Sequence, residues 1–196
     1  MATSITLATL SVQRTPLSGM LILEPRVFSD ERGYFLESYN EREMAEAGIR
    51  SRFVQDNQSY SVRNVIRGLH YQIGHPQGKL VRVVKGEILD VAVDLRVDSS
   101  TFGEWHAVTL SDQNKRILWV PQGFAHGFRA LSDSAHVLYK ATDFYTPACE
   151  RTILWNDPEL KIDWGLNAPP IVSQKDSLGS SFGEAEKFDE WQKDAA

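Results

Sequence analysis

Histidine, tyrosine and the carboxylates are the side chains that carry protons near neutral pH, and in this chain of 196 residues they gather in a few short runs. The densest polar stretch lies between Phe53 and Lys79, written FVQDNQSYS, NVIRGLHYQ and GHPQGK. His70 has the ring whose ordinary pKa lies nearest working pH, which suits a general base. A hydrogen-bonded core histidine is the alternative, and this segment alone favours it. Arg67 and His70 fall on opposite faces of a regular strand, yet Gly68 between them invites a bulge that re-aims side chains. Tyr139, in HVLYKATDFY, lies on the strand face opposite His136, so at most one of the two points into a barrel. For Tyr139, core packing with a tethered hydroxyl and a chemical role are equally good readings. Tyr145 and Phe28 are either core aromatics or platforms for a nucleobase.

His126 completes the pattern Pro121-x-Gly123-x-x-His126 in WVPQGFAHGF, which resembles the second motif of the cupin superfamily. A metal-binding cupin would add two histidines one residue apart and a nearby glutamate. The counterpart here offers His70 followed by Gln72, with His75 further on. That set falls short of the three protein ligands a catalytic first-row metal usually needs, so no metal is expected and His126 is read as a substrate contact.

The elements that must position these residues read as strands. Short runs rich in Val, Ile, Leu and aromatics recur between Gly, Asn, Asp and Pro: GMLILEP (19–25), GYFLESY (33–39), KLVRVVKG (79–86), EILDVAVDLR (87–96), WHAVTLS (105–111), RILWVP (116–121) and HVLYKAT (136–142). In EILDVAVDLR the alternation sets Leu89, Val91, Val93 and Leu95 against Asp90 and Asp94, as in a half-buried strand. KGE (85–87) reads as a hairpin turn with Gly86 at positive φ. Two segments read as helices: NEREMAEAG (40–48), with Asn40 as N-cap and Gly48 as stop, and the tail from about Gly183. In that tail Glu184, Glu186, Asp189, Glu190 and Asp194 surround Phe188 and Trp191, as on a solvated helix. The Pro/Gly/Ser-rich stretch 166–181 reads as an irregular crossing segment. The list favours an all-β jelly roll or barrel in a single domain, residues 1–196, with a core at about 21–178 between an N-terminal arm and a helical tail.

Composition narrows the function classes. A net charge of -5 disfavours a nucleic-acid footprint while leaving room for an anion in a locally basic pocket. The single cysteine, Cys149, excludes an internal disulfide and any multi-thiolate zinc site. No stretch is apolar enough to span a membrane and the start lacks a signal-peptide pattern, so a cytoplasmic protein is expected.

Nine runs carry a resemblance to one family: FSDERGYFLES (28–38), FVQDNQSYS (53–61), VIRGLHYQ (65–72), QGKLVRVVKGEILDVAVDLR (77–96), STFGEWHAVTLS (100–111), ILWVPQGFAHGF (117–128), LYKATDFYTP (138–147), ILWNDPELKIDW (153–164) and SQKDS (173–177). In this order they closely resemble dTDP-4-dehydrorhamnose 3,5-epimerases. The resemblance implies a cupin-type jelly roll (a double-stranded β-helix with a few short helices) and a homodimer that exchanges an N-terminal strand. It implies action on dTDP-4-dehydro-6-deoxy-D-glucose without a cofactor, on the way to dTDP-L-rhamnose. By motif, His70 corresponds to the base, Asp176 to its carboxylate partner and Tyr139 to the acid. Arg32, Glu37, Gln55, Asp56, Asn57, Arg67, Lys79, His126, Tyr145, Glu150 and Lys175 correspond to substrate-binding positions, with Tyr145 the aromatic that stacks on thymine and Arg32 and Glu37 supplied across the dimer. Epimerisation at one centre, serving a different deoxysugar, and a non-catalytic sugar-nucleotide-binding jelly roll stay open as alternatives.

The implied chemistry suits these residue types. A C4 ketone acidifies the hydrogens on C3 and C5, so a base on one face of the ring and an acid on the other suffice for inversion. Lys79 or Arg67 would stabilise the enolate, and Arg32, Arg67 and Lys175 would hold the diphosphate.

Overall fold

The computed structural model describes residues 4–189. Two antiparallel sheets face one another. The seven-stranded sheet runs in the order β1 (Ser4–Thr6), β2 (Leu10–Arg14), β3 (Leu21–Pro25), β11 (Ile117–Val120), β8 (Lys79–Lys85), β13 (Ser134–Ala141) and β6 (Gln55–Val62). The second runs β10 (Trp105–Ser111), β9 (Glu87–Asp94), β12 (Phe124–Ala130), β7 (Val65–Gln72) and β14 (Glu150–Thr152), and β15 (Ile171–Val172) adds to it in parallel along β7. A hairpin of β4 (Val27–Asp30) and β5 (Gly33–Leu36) pairs with neither sheet. The helices are short: α1 (Glu41–Glu46) and α2 (Gln174–Ser177). This is the all-β jelly roll that the residue pattern favours.

The alternation of each strand sorts its side chains between layers. Ile22, Val81, Val83, Leu118 and Val137 of the larger sheet meet Ile88, Ala92, Val108, Leu110 and Phe128 of the smaller one in the core between the sheets. The opposite face of the larger sheet, with Leu23, Leu80, Ile117 and Trp119, is covered by Met44 and Ile49 at α1. Asn40 caps that helix by accepting from the Arg42 and Glu43 amides, and Gly48 at φ +91 ends it, as the sequence indicates. The outer face of the smaller sheet, with Val91, Val93 and Leu95, is buried by a strap from the C-terminal third carrying Ile153, Leu160, Trp164 and Phe182.

That strap corrects one expectation. β9 was expected to bury one face only, yet Asp90 and Asp94 are both fully buried, because each face of the strand has its own apolar layer. Asp94 is satisfied by Arg96, Ser99 and Thr101, and Asp90 by His126. A second correction concerns residues 85–87. β8 and β9 do not pair; Gly86 turns the chain from one sheet to the other, at φ +81. The conformational demand was legible and its topological use was not, since a tight corner and a hairpin need the same residue. The third concerns the tail: residues 183–189 hold no helix, and Phe188 bridges to Arg96 instead. Glu190, Trp191 and Asp194 lie outside the described residues. The crossing segment 166–181 holds two elements that composition did not reveal, β15 and α2.

At Gly86 a Cβ would overlap the Ser134 carbonyl and the Ser132 hydroxyl in addition to straining the backbone. Gly86→Ala is expected to cost on the order of 3 kcal/mol, measured by urea unfolding, with a lowered midpoint and an unchanged slope. A loss below about 0.5 kcal/mol would show that the corner is not fixed by this residue.

Candidate active site

His70 on β7 and His126 on β12 are register partners across adjacent strands. Just beyond them the pairing slips between His126 and Phe128, at the place where Gly68 meets Gly127. A Cβ on Gly127 would stand 2.6 Å from the Arg67 carbonyl, so glycine is what lets the strands close at the bulge. The irregularity expected at Gly68 is present, and it lies between Arg67 and His70.

Asp176 reaches His70 from the C-terminal strap, where α2 packs beside β7. It sits on α2, where Ser173 caps the turn by accepting from the Asp176 amide at 3.1 Å. Its Oδ1 lies 2.5 Å from His70 Nε2, and its Oδ2 accepts from the Gly68 amide at 3.4 Å. Burial pushes the Asp176 carboxyl up, but hydrogen bonds from His70, Ser173 and Gly68 outweigh it and hold the group below the usual carboxylate range. The carboxylate is therefore the acceptor, Nε2 carries the proton, and Nδ1 of His70 is left with the lone pair. Burial pushes the His70 pKa down more than Asp176 pulls it up, and Lys175 and Lys79 push it further down.

Charged groups ring this pair. Lys79 Nζ donates to the His70 carbonyl at 3.4 Å, and burial lowers its pKa to about 8 against the pull of Asp90 and Glu150. His126 Nε2 donates to both oxygens of Asp90, at 2.8 and 3.0 Å. From the opposite sheet Tyr139 packs against the central core. Burial raises its pKa, so the phenol keeps its proton although Arg67 pulls the other way. Tyr139 also feels Glu150 and Lys175, and His70 acts on Glu150 and is acted on by Lys175. His70 and Tyr139 thus share one electrostatic environment from two sheets.

A hydrogen-bonded chain forms the rim. Lys175 Nζ donates to Glu150 at 2.7 Å and the Tyr145 hydroxyl donates to its other oxygen at 3.0 Å. The Tyr145 amide donates to Gln55, whose own amide donates to Asn57. Arg67 leans on Ser61 and the Tyr60 carbonyl. Most residues singled out in the sequence therefore meet: His70, Asp176, Tyr139, Gln55, Asn57, Arg67, Lys79, His126, Tyr145, Glu150 and Lys175. Three stand apart within one chain. Arg32 is 84% exposed and pairs with Asp30 at the hairpin turn; Glu37 accepts from Thr9 and Asn40; and Asp56 faces outward onto Lys140. His75 joins Asp143 on the surface, not His70.

Two participants were not singled out as functional. Asp90 was read as a polar-face residue, although an aspartate amid an unbroken apolar run is itself a signal of a buried partner. Ser59 and Asn57 lie on one face of β6, and the Ser59 hydroxyl and Asn57 amide nitrogen are buried without hydrogen-bond partners. Such atoms are costly unless a ligand satisfies them; serine in a polar run gives no sequence signal.

Comparison with known proteins sets this geometry in context. A family model described as dTDP-4-dehydrorhamnose 3,5-epimerase matches residues 14–184. A dTDP-4-dehydrorhamnose 3,5-epimerase of Pseudomonas aeruginosa is 56% identical over 176 residues, which is 89% of this chain and 97% of that protein. One from Methanothermobacter thermautotrophicus is 56% identical over 165 residues, 83% of this chain and 89% of its own. Among solved structures, the dTDP-6-deoxy-D-glucose-3,5-epimerase of Legionella pneumophila, in complex with dTDP-4-keto-L-rhamnose, superposes with a TM-score of 0.88 at 47% identity, covering 90% of this chain and 95% of that one.

Lys79 supplies a test independent of any ligand. Its pKa falls from 10.5 to about 8 on folding, so between those values the unfolded chain binds more protons and stability rises with pH. Relative to Lys79→Met, the wild type should gain on the order of 3 kcal/mol across that window. Parallel stability–pH curves for the two proteins would show that Lys79 is not desolvated.

Proposed function

The chain belongs to the dTDP-4-dehydrorhamnose 3,5-epimerase family, and from that premise we propose how its own residues invert C3 and C5 of dTDP-4-dehydro-6-deoxy-D-glucose, a step of dTDP-L-rhamnose synthesis. The observation that carries the assignment of roles is the pairing of a carboxylate-held histidine on one sheet with a protonated tyrosine on the other. His70 Nδ1 takes the proton from the carbon beside the ketone, and Asp176 stabilises the imidazolium that results. Charge moves into the C4 oxygen, where Lys79, desolvated yet still cationic at pH 7, is the stabilising group. Tyr139 returns a proton from the opposite face. Arg67, Asn57 and Lys175 border the polar rim and would hold the diphosphate, and Tyr145, half-exposed at that rim, would stack on the base. His126, locked to Asp90, lines the wall beside His70.

We read the whole chain as one catalytic domain working in the cytoplasm, where nucleotide sugars are made; no described helix is long and apolar enough to cross a membrane. The hairpin β4–β5 exposes Phe28, Tyr34 and Phe35 at 45%, 58% and 69%, and it carries Arg32 at its tip. An arm with exposed aromatics that pairs with neither main sheet suits a second copy of the chain, to which it would bring Arg32 and Glu37.

Deuterium uptake from D2O at C3 and C5 tests the chemistry. The wild type should label both carbons. His70→Asn should lose exchange at both by at least about 1000-fold, whereas Tyr139→Phe should retain exchange but lose inversion by about 100-fold. Label at one carbon would mark a single-centre epimerase, and full product formation by Tyr139→Phe would remove that residue from its role. Sedimentation should give twice the 22.1 kDa chain mass. Tyr34→Ser with Phe35→Ser should yield inactive monomer; an active monomer would refute the shared site.

A further inference from the structure

Arg129 is a buried cation that the chemistry above does not use. It lies on β12, the strand that carries His126, but it points to the other face, into the layer beneath the C-terminal strap. It is 7% exposed, and its partners are neutral: Nη1 donates to the Trp164 carbonyl at 2.8 Å and the Gly165 carbonyl at 2.5 Å, and Nη2 donates to Asn64 Oδ1 at 2.7 Å. Its Nε has no partner among the described residues. Burying a guanidinium without a carboxylate is unfavourable for the fold, so its position calls for an account beyond packing.

The account lies in what those acceptors hold. Trp164 and Asp176 are both buried, but every residue between them is exposed or half-buried, so side-chain packing does little to fix the path of the chain that delivers Asp176. Hydrogen bonds fix it instead. Arg129 clamps the start of the span at Trp164 and Gly165. Through Asn64 it also clamps the turn before β7, and the Asn64 carbonyl accepts from the Ile171 amide at 2.9 Å. Ile171 and Val172 then run parallel to Val65 and Ile66, which sets where Ser173 caps α2 and hence where Asp176 stands. Asn64 itself holds φ +64, and its amide donates at 3.0 Å to the carbonyl of Ala130, the residue after Arg129.

We propose that Arg129 is a positioning residue for the epimerisation: it fastens the strap to β12 and to the turn before β7, so that Asp176 meets His70. The inference rests on the assignment of His70 and Asp176 as the base and its partner. It places a determinant of rate on the far side of the barrel wall, with no contact to substrate. Displacing a catalytic partner by about an ångström can cost up to about 100-fold in rate.

The test uses full-length Arg129→Met and, since that variant could fold poorly, Asn64→Gly, which removes the amide acceptor while tolerating φ +64. Circular dichroism checks that each is folded. In the ligand-free proteins, NMR shifts of the His70 ring nitrogens should move toward those of Asp176→Asn in both variants. Arg129→Met should lose about tenfold or more in kcat, but less than about twofold when added to Asp176→Asn, because one lost partner cannot be lost twice. Unmoved His70 shifts in folded variants would overturn the proposal. So would kcat losses that simply multiply with Asp176→Asn, which indicate general destabilisation. The NMR arm needs no substrate; a wild type that shows no exchange while the His70 shifts still respond to Arg129→Met would count against the epimerase chemistry and leave the clamp standing.

Discussion

The hydrogen bond from His70 to Asp176 joins the barrel wall to the strap that wraps it. One partner sits on the wall of a two-sheet barrel and the other on a turn of helix reached only after the chain has wrapped the outside of that wall. A buried carboxylate needs compensation from every direction, and Asp176 receives it from an imidazole and the Gly68 amide, while Ser173 fixes the turn that bears it. The bond explains several local features at once: the glycine pair that lets β7 and β12 close at a bulge, the serine cap of α2, and the parallel β15 that sets the strap's register. It also gives the histidine one tautomer, and with it one basic nitrogen.

The same economy governs charge. The chain is acidic overall, yet Lys79, Arg67 and Lys175 converge around His70 and Tyr139, each set against an acceptor or acid that stops short of cancelling it. Lys79 is the clearest case, because it is desolvated enough to titrate near 8 but still carries charge at neutrality. A cation held that way is worth more to a developing enolate than one in water, since little solvent has to reorganise as charge moves onto the oxygen. At the rim the same balance recurs, with Glu150 accepting from both Lys175 and Tyr145.

What could be read in the sequence follows a physical division. Strand alternation and turn chemistry are local, so the strands, the Asn40 cap, the Gly86 conformation and the Gly68 bulge were legible. Sheet assignment is not local. Gly86 joins strands of different sheets, and β9 is buried on both faces because a strap from residues 153–188 covers it, a contact no window of the sequence contains. The site was legible where a residue type is rare and reactive, as with His70 and Tyr139. It was illegible where an ordinary residue is drawn in by its surroundings, as with Asp90 bonded to His126 and Ser59 on the face of β6 that carries Asn57. The tail misled for a related reason: helical spacing of Phe188 among acids is equally served by a chain that tucks Phe188 against Tyr71.

Arg32, Glu37 and Asp56 carry that division to the surface of the chain. Their motifs resemble substrate-binding segments, but within one chain they face solvent or one another's neighbours. Arg32 sits at the tip of a hairpin that pairs with neither main sheet and exposes Phe28 and Phe35. If a second copy covers it, the apolar residues become the contact and the arginine at the tip becomes the part that reaches beyond it. Folding would then finish the barrel and strap within each chain, fixing His70, Asp176 and Tyr139, while association would supply the arginine of the hairpin tip. The site would divide along a physical boundary, with proton transfer built by the core of one chain and anion recognition completed at the surface between two.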